Sequence, residues 1–255
     1  MPTVLFVRHG RSAANTAGVL AGWAPGVFLD ETGQAQAARV GTSIAAAELP
    51  VVEVVSSPLD RCVQTADLIA ARLGTVLRSV HDGLGECRYG AWTGRAIRDL
   101  VADPLWQVVQ NRPSQARFPT SEDYASESLA DVQERALRTV HETDARVLER
   151  HGPDAVWVAV SHGDVIKAVL ADAAGAGLDD FQRFVVDPGS VSVVRYTSRK
   201  PFVLRLNDIG GDLTAVRPAS GAVPEGDAEV GGGAGTPAAS APGGGDASDG
   251  PSEVG

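Results

Sequence analysis

Short runs of β-branched and other apolar residues alternate, along the first 217 positions, with longer stretches in which apolar residues return every three or four positions. The short runs are Thr3–Arg8, Val52–Ser56, Val76–Val80, Ala155–Val160, Val191–Tyr196 and Phe202–Leu206, and they read as strands. The last two lie close enough in sequence to form a hairpin. Helical periodicity runs from a cap at Asp30 to about Leu49, and again from Ser57. There Pro58 takes the first helical position, Asp60 completes a capping-box-like pattern, and Leu59, Cys62, Val63, Ala66, Ile69 and Leu73 share one face. A third helix spans roughly Glu127–Arg150, with Leu129, Val132, Ala136, Val140 and Val147 in period, and stops at His151-Gly152-Pro153. A fourth begins near Gly163. Strands alternating with helices in this way predict an α/β three-layer sandwich, a mostly parallel sheet flanked by helices.

Periodicity fails after about Ala219. The chain becomes rich in Gly, Pro, Ala and Ser and contains no aromatic residue, so it cannot bury enough apolar surface to offset its ordering entropy. The domain reading is therefore a folded unit over residues 1–217 and a disordered, Gly/Pro/Ala-rich acidic tail over 218–255, whose removal is expected to leave catalysis unchanged. The tail also explains the charge. It carries Glu225, Asp227, Glu229, Asp246, Asp249 and Glu253 with no Lys or Arg, and setting these six carboxylates aside reduces the formal −10 of the chain to −4. No basic stripe remains to support nucleic-acid binding. No apolar run reaches the roughly 20 residues needed to span a bilayer. With the first strand starting by Thr3, a cytoplasmic, membrane-free protein is expected. Cys62 and Cys87 are too few for a disulfide framework, and both are expected reduced and packed.

Chemistry concentrates where strands end. FVRHG closes the first strand and AVSHG closes the Ala155–Val160 strand, which delivers His9 and His162 to the carboxyl edge of the sheet, where ligands of open α/β folds bind. A glycine follows each and permits close backbone approach. Arg8 neighbours His9, and Arg61 lies just inside the helix after the Val52–Ser56 strand, again at a carboxyl end. Guanidinium forks and imidazoles converging on one cavity suit a phosphoryl group, and Asn15 adds a neutral donor. His81, His141 and His151 are assigned structural or solvent roles.

These residues sit in motifs that resemble the histidine phosphatase superfamily, in its phosphoglycerate mutase-like branch. The carriers are Arg8-His9-Gly10-Arg11-Ser12-Ala13-Ala14-Asn15, LDETGQAQA at 29–37, SSPLDRCVQTA at 56–66, GLGECRYGAWTG at 83–94 and VSHGDVIKAVL at 160–170, in the family's order. The resemblance implies a phosphoglycerate mutase-like fold. It implies His9 as the nucleophile that becomes phosphohistidine, His162 as a support of the phosphoryl group, and Arg8, Asn15 and Arg61 as its binding residues. Glu86 would be the proton donor. No metal and no cofactor are then required. An imidazole with a pKa of about 6.5 is partly neutral at physiological pH and attacks without prior activation.

A departure from the family pattern falls at PSQARFPTSEDYASES, residues 113–128, which is longer and more polar than usual and is expected to overhang the pocket. The expected activity is hydrolysis of a small phosphomonoester. Ala21-Gly22-Trp23 resembles the mutase branch, but no Arg-Arg pair is present to hold a substrate carboxylate; Arg95, Arg98, Arg112 and Arg117 remain as individual substitutes. A phosphoglycerate mutase is the alternative, and an inactive domain that binds phosphorylated partners a more distant one. The expected partner is a small phosphoester. Oligomeric state is left open, a homodimer included.

Overall fold

A computed structural model describes residues 1–74, 76–211, 230, 231 and 233. Its strands are β1 (Thr3–Arg8), β2 (Val51–Ser56), β3 (Leu77–Val80), β4 (Val156–Ser161), β5 (Val191–Arg195) and β6 (Phe202–Asp208). The α-helices are α1 (Ala13–Thr16), α2 (Glu31–Ala46), α3 (Asp60–Leu73), α4 (Ile97–Leu100), α5 (Pro104–Asn111), α6 (Leu129–His151) and α7 (Gly163–Ala173). One sheet holds all six strands in the order β3-β2-β4-β1-β5-β6. The pairs β3/β2, β2/β4 and β4/β1 are parallel, while β1/β5 and the β5/β6 hairpin are antiparallel. The expected mostly parallel sheet and terminal hairpin are both present.

Strand alternation divides the core into two layers. Val4 and Phe6 of β1 and Trp157 and Ala159 of β4 join the apolar stripes of α6 and α7 on one side. Leu5, Val7, Val158 and Val160 meet Val40 and Ile44 of α2 and Ala66 and Ile69 of α3 on the other. Burial on both faces is why β1 and β4 read as near-continuous apolar runs. The register sets Arg8 beside Ser161 and Ser56 beside Val160, so the chain leaves β1, β2 and β4 at one level of the carboxyl edge. No helix among the described residues is long and apolar enough to cross a membrane.

Capping explains several boundaries and corrects two. Asp30 accepts the Gly33 N–H and starts α2, as its sequence predicts. The helix expected from Ser57 instead starts at Asp60, with Leu59 in the capping position and no side-chain cap bond. Ser57 is withdrawn from that role because its Oγ lies 2.8 Å from His162 Nε2. The helix expected from Glu127 starts at Leu129, where Ser128 and Asp131 form a reciprocal capping box. Glu127 pairs with Arg135 instead, at 2.7 Å.

Segment 113–128 does not overhang the pocket. Its Ser126 bridges to Tyr89, and Phe118 stacks edge-on against Tyr89 and Trp92, so the segment contributes to the core. Of the expected tail, residues 218–229, 232 and 234–255 lie outside the described residues; Val230, Gly231 and Gly233 are placed.

Candidate active site

At the carboxyl edge a cavity of about 480 Å³ opens, lined by His9, Asn15, Arg61 and Glu86, by the 15–22 turn, by Ala96, Ile97 and Arg98, and by Val230, Gly231 and Gly233. Four of the six residues singled out from sequence thus face one space. The other two flank it: His162 is fully buried directly behind Arg61, and Arg8 is covered by backbone from two loops.

His9 leaves β1 with its ring pinned. Its Nδ1 lies 2.7 Å from the Gly10 carbonyl oxygen, which can only accept, so Nδ1 carries the proton and Nε2 the lone pair. Arg61 Nε donates to that Nε2 at 3.3 Å. Burial, then the charges of Arg61 and Arg8, hold the His9 pKa well below the ordinary histidine value, against the opposing hydrogen bond to Gly10. The imidazole is accordingly neutral at physiological pH. Gly10 allows this placement through close approach: a Cβ there would collide with the Gly33 carbonyl of the LDETG turn.

His162 caps α7 and faces His9 edge-on at 5.2 Å between ring centres. Arg61 Nη2 lies 3.2 Å from His162 Nδ1 and donates to the Gly22 carbonyl at 3.0 Å. A guanidinium cannot accept, so Nδ1 is the acceptor and Nε2–H points to Ser57 Oγ. Burial and the Arg61 charge push the pKa of His162 down as well. One arginine in the first turn of α3 therefore fixes the tautomers of both histidines.

Glu86 is buried, with Oε1 accepting the Cys87 N–H at 2.9 Å and Oε2 3.6 Å from His162 Nδ1. Burial, then the nearby Asp164 carboxylate, raise its pKa to about 7, against the opposing charges of Arg61 and Arg8. Asp164 is itself buried; its Oδ2 accepts from Tyr89 Oη at 2.7 Å, and its Oδ1 finds no hydrogen-bond donor among the described residues. Arg88, two residues on, does not pair with Glu86: its guanidinium lies over the Trp23 ring, 4.0 Å from its centre.

The loop carrying Glu86 is held by residues the sequence did not disclose. Arg135 of α6 donates to the carbonyls of Gly83, Gly85 and Glu86, at 2.9, 2.9 and 3.0 Å, while pairing with Glu127. Trp23 Nε1 donates to the same Glu86 carbonyl. Arg135 lies beside, not within, the apolar stripe of α6 and reads there as a solvated residue; no sequence signal marks it.

Asn15 lines the cavity, with Oδ1 accepting from Ser12 N and Oγ at 3.0 and 2.8 Å. Those bonds orient the amide so that its NH₂ end turns away from Ser12. Arg8 donates through Nη1 to the Val186 carbonyl and through Nη2 to the Gly233 carbonyl, both at 2.8 Å. Among the arginines weighed for a substrate carboxylate, Arg98 lines the cavity and Arg117 pairs with Asp131 on another face. Cys62 lies 3.4 Å from His162 Nε2, but both cysteines are buried and free, and burial pushes the Cys62 thiol to about 12.

Neutral imidazoles, a shared guanidinium and a carboxyl of raised pKa, set at the strand ends of a three-layer α/β fold, define the class of enzymes that process phosphoesters with paired histidines. A sequence profile of the histidine phosphatase superfamily (branch 1) matches residues 4–209, and the chain belongs to that superfamily. It is 29% identical over 213 residues to phosphoserine phosphatase 1 of Hydrogenobacter thermophilus, covering 81% of this chain and 92% of that protein. It is 30% identical over 190 residues to a phosphoglycerate mutase of Candida albicans, covering 70% of this chain and 75% of that one. Its fold matches the phosphoserine phosphatase of Entamoeba histolytica solved with 3-phosphoglyceric acid, with a TM-score of 0.68 at 21% identity, covering 82% and 98% of the two chains.

Proposed function

We propose that this chain is a cytoplasmic, metal-independent phosphomonoester hydrolase that works through phosphohistidine at His9 on a small phosphorylated metabolite. The observation that carries the reading is the His9 ring: Nδ1 is committed to Gly10, and Nε2 presents a lone pair at the cavity beside Arg61. Nε2 attacks phosphorus as the bond to the leaving oxygen breaks, and that oxygen takes the Glu86 proton. Water then attacks the phosphohistidine. Glu86 accepts its proton, the N–P bond breaks, and the electron pair returns to Nε2. A carboxyl with a pKa of about 7 suits both halves, since it gives and takes a proton near neutrality. Arg61, Arg8 and Asn15 bind the transferring group and stabilise its charge, the main requirement of a loose phosphoryl transfer. His162 supports the same group through Arg61, whose Nη2 donates to its Nδ1 at 3.2 Å.

The mutase reading returns the phosphoryl group to the bound product and needs a grip on its carboxylate. Arg98 at the cavity rim supplies one cation, itself beside Asp99 at 3.6 Å. Rapid mixing with a labelled phosphomonoester should give an acid-labile, alkali-stable adduct that disappears in His9→Ala; an adduct surviving that substitution refutes the assignment. With 3-phosphoglycerate and trace bisphosphoglycerate, release of orthophosphate is expected. Rapid formation of 2-phosphoglycerate without free phosphate would establish the mutase instead.

A further inference from the structure

The three described residues of the C-terminal segment all belong to the cavity wall. Val230 is fully buried within the core cluster that contains Leu20 and Tyr89. The Gly231 N–H donates to Asp164 Oδ2 at 3.0 Å, the oxygen that also accepts from Tyr89. Gly231 has a φ of +73°, and a Cβ there would stand 2.5 Å from Leu20 Cδ1, so the position is shaped for a residue without a side chain. The Gly233 carbonyl accepts from Arg8 Nη2 at 2.8 Å. A buried apolar anchor, a backbone N–H on a buried carboxylate and a carbonyl on a buried guanidinium together make a docking site. A merely adjacent segment would show none of the three.

The last contact is consequential. Arg8, the residue that the family resemblance assigns to phosphate, is donating an N–H to a peptide carbonyl of the chain itself. A phosphoryl oxygen and the Gly233 oxygen cannot both take that N–H at 2.8 Å in line. We propose that the segment bearing Val230, Gly231 and Gly233 is an intramolecular competitor for the anion site, docked on Asp164 and Arg8 and displaced from both when a phosphoester enters. The proposal rests on the phosphomonoesterase reading of the cavity. The Gly233 carbonyl is a neutral acceptor, whereas a phosphoryl oxygen brings the opposite charge to the Arg8 guanidinium, so the ligand wins when present. The tether offsets that weakness, because an attached segment acts at an effective concentration in about the millimolar range. The apparent affinity for phosphate is then reduced by the fraction of molecules in which the segment has left. Composition alone does not show this, since Val-Gly-Gly-Gly acquires meaning only against Leu20, Tyr89, Asp164 and Arg8.

Two full-length variants test it, Val230→Asp and Gly231→Val, each altering only the docked segment. The readouts are the inhibition constant of orthophosphate, the KM for a small phosphomonoester, and hydrogen exchange of the peptide containing Gly231 in the unmodified protein with and without saturating orthophosphate. Both constants should fall roughly three- to tenfold in both variants, as expected if about a tenth to a third of molecules are open in the parent. Exchange at Gly231 should rise when orthophosphate binds. Constants that are unchanged or higher in both variants would overturn the proposal, as would exchange that is unaffected or slowed by orthophosphate. The exchange experiment uses the unmodified chain and does not depend on the variants folding. If the parent binds orthophosphate but neither hydrolyses nor forms the His9 adduct, the enzymatic reading fails while competition can still be measured. If it hydrolyses and the variants match it, only the competition fails.

Discussion

Replacing Glu86 with Gln removes one proton from the site at almost constant shape, and the structure fixes what should follow. The amide oxygen can keep the Cys87 N–H bond that Oε1 accepts at 2.9 Å, while the NH₂ turns toward His162 Nδ1, 3.6 Å from the present Oε2. What is lost is an acid whose pKa stands at about 7 instead of 4.5. At pH 7 such a group is about half protonated, whereas an ordinary glutamic acid is protonated in well under about 1% of molecules. Two consequences can be measured separately. General-acid assistance typically contributes about 10²- to 10⁴-fold, so Glu86→Gln should lower kcat by that order on an alkyl phosphate, whose alkoxide needs the proton. With p-nitrophenyl phosphate, whose leaving group departs as a stable anion, the loss should stay below about tenfold. In the parent, kcat/KM for the alkyl ester should hold below pH 7 and fall about tenfold per pH unit above it. The second consequence concerns stability. The folded pKa is raised, so the folded state loses stability as pH climbs from 4.5 to about 7 and stays lower above that. The difference corresponds to about 3 kcal/mol. The Gln variant should escape this loss and unfold at higher denaturant than the parent at pH 8, but not at pH 4. Equal rate losses on both esters, with no pH-dependent gain in stability, would reduce Glu86 to a structural residue.

Other substitutions isolate other parts of the argument. Arg135→Met should reduce kcat on alkyl phosphates at least tenfold while orthophosphate affinity changes little, because it loosens the Glu86 loop without touching the anion; equal loss of both would show a general structural role. It should also cost roughly 2–4 kcal/mol in denaturant melts, since it removes the cation paired with Glu127 and the donor to the Gly83 and Gly85 carbonyls, while Trp23 still serves the Glu86 carbonyl. Gly10→Ala should destabilise by about 1–3 kcal/mol or more, because the new methyl meets rigid Gly33 backbone and not a yielding side chain; a neutral result would mean the two turns can separate. Cys62 and Cys87 should resist a thiol reagent in the native state and react only on unfolding, since both are buried and burial raises both thiol pKa values.

The parts of this site that were legible in sequence share a physical basis. His9 and His162 follow buried β-branched strands and precede glycines, and parallel strands place such junctions on one edge irrespective of their distance along the chain. Arg61 was legible for the same reason. Ser57 was misread because Ser-Pro-x-Asp satisfies the local rules for a helix start. The partner that overrides them, His162, is 105 residues away. Arg135 was invisible for a related reason: its acceptors are backbone carbonyls, which have no letter in a sequence. By contrast, α5 carries start signals, Asp103 at the cap and Pro104 at the first position, but its apolar stripe of little more than Trp106 and Val109 is too short to mark a helix by periodicity.

The electrostatics explain why one arginine sits between two histidines. An ammonium or a second imidazolium could also attract a phosphate, but it would compete for protons with His9 or disperse over several positions. The Arg61 guanidinium cannot lose its proton and cannot accept a hydrogen bond, so any imidazole nitrogen facing it must be unprotonated. It faces Nε2 of His9 at 3.3 Å and Nδ1 of His162 at 3.2 Å, and thereby holds a lone pair on each of those nitrogens. The field that lowers both histidines also opposes the rise of the Glu86 pKa, which is why Asp164 matters: buried close by, it counters the arginine charge at Glu86. The two imidazoles and the Glu86 carboxyl are thus pushed in opposite directions, the guanidinium lowering the first two while burial and Asp164 raise the third. Removing Asp164, for example as Asp164→Asn, should consequently lower the pH at which alkyl phosphate turnover falls, while leaving His9 able to form its adduct at neutral pH. An unmoved pH profile would show that burial alone holds the Glu86 proton.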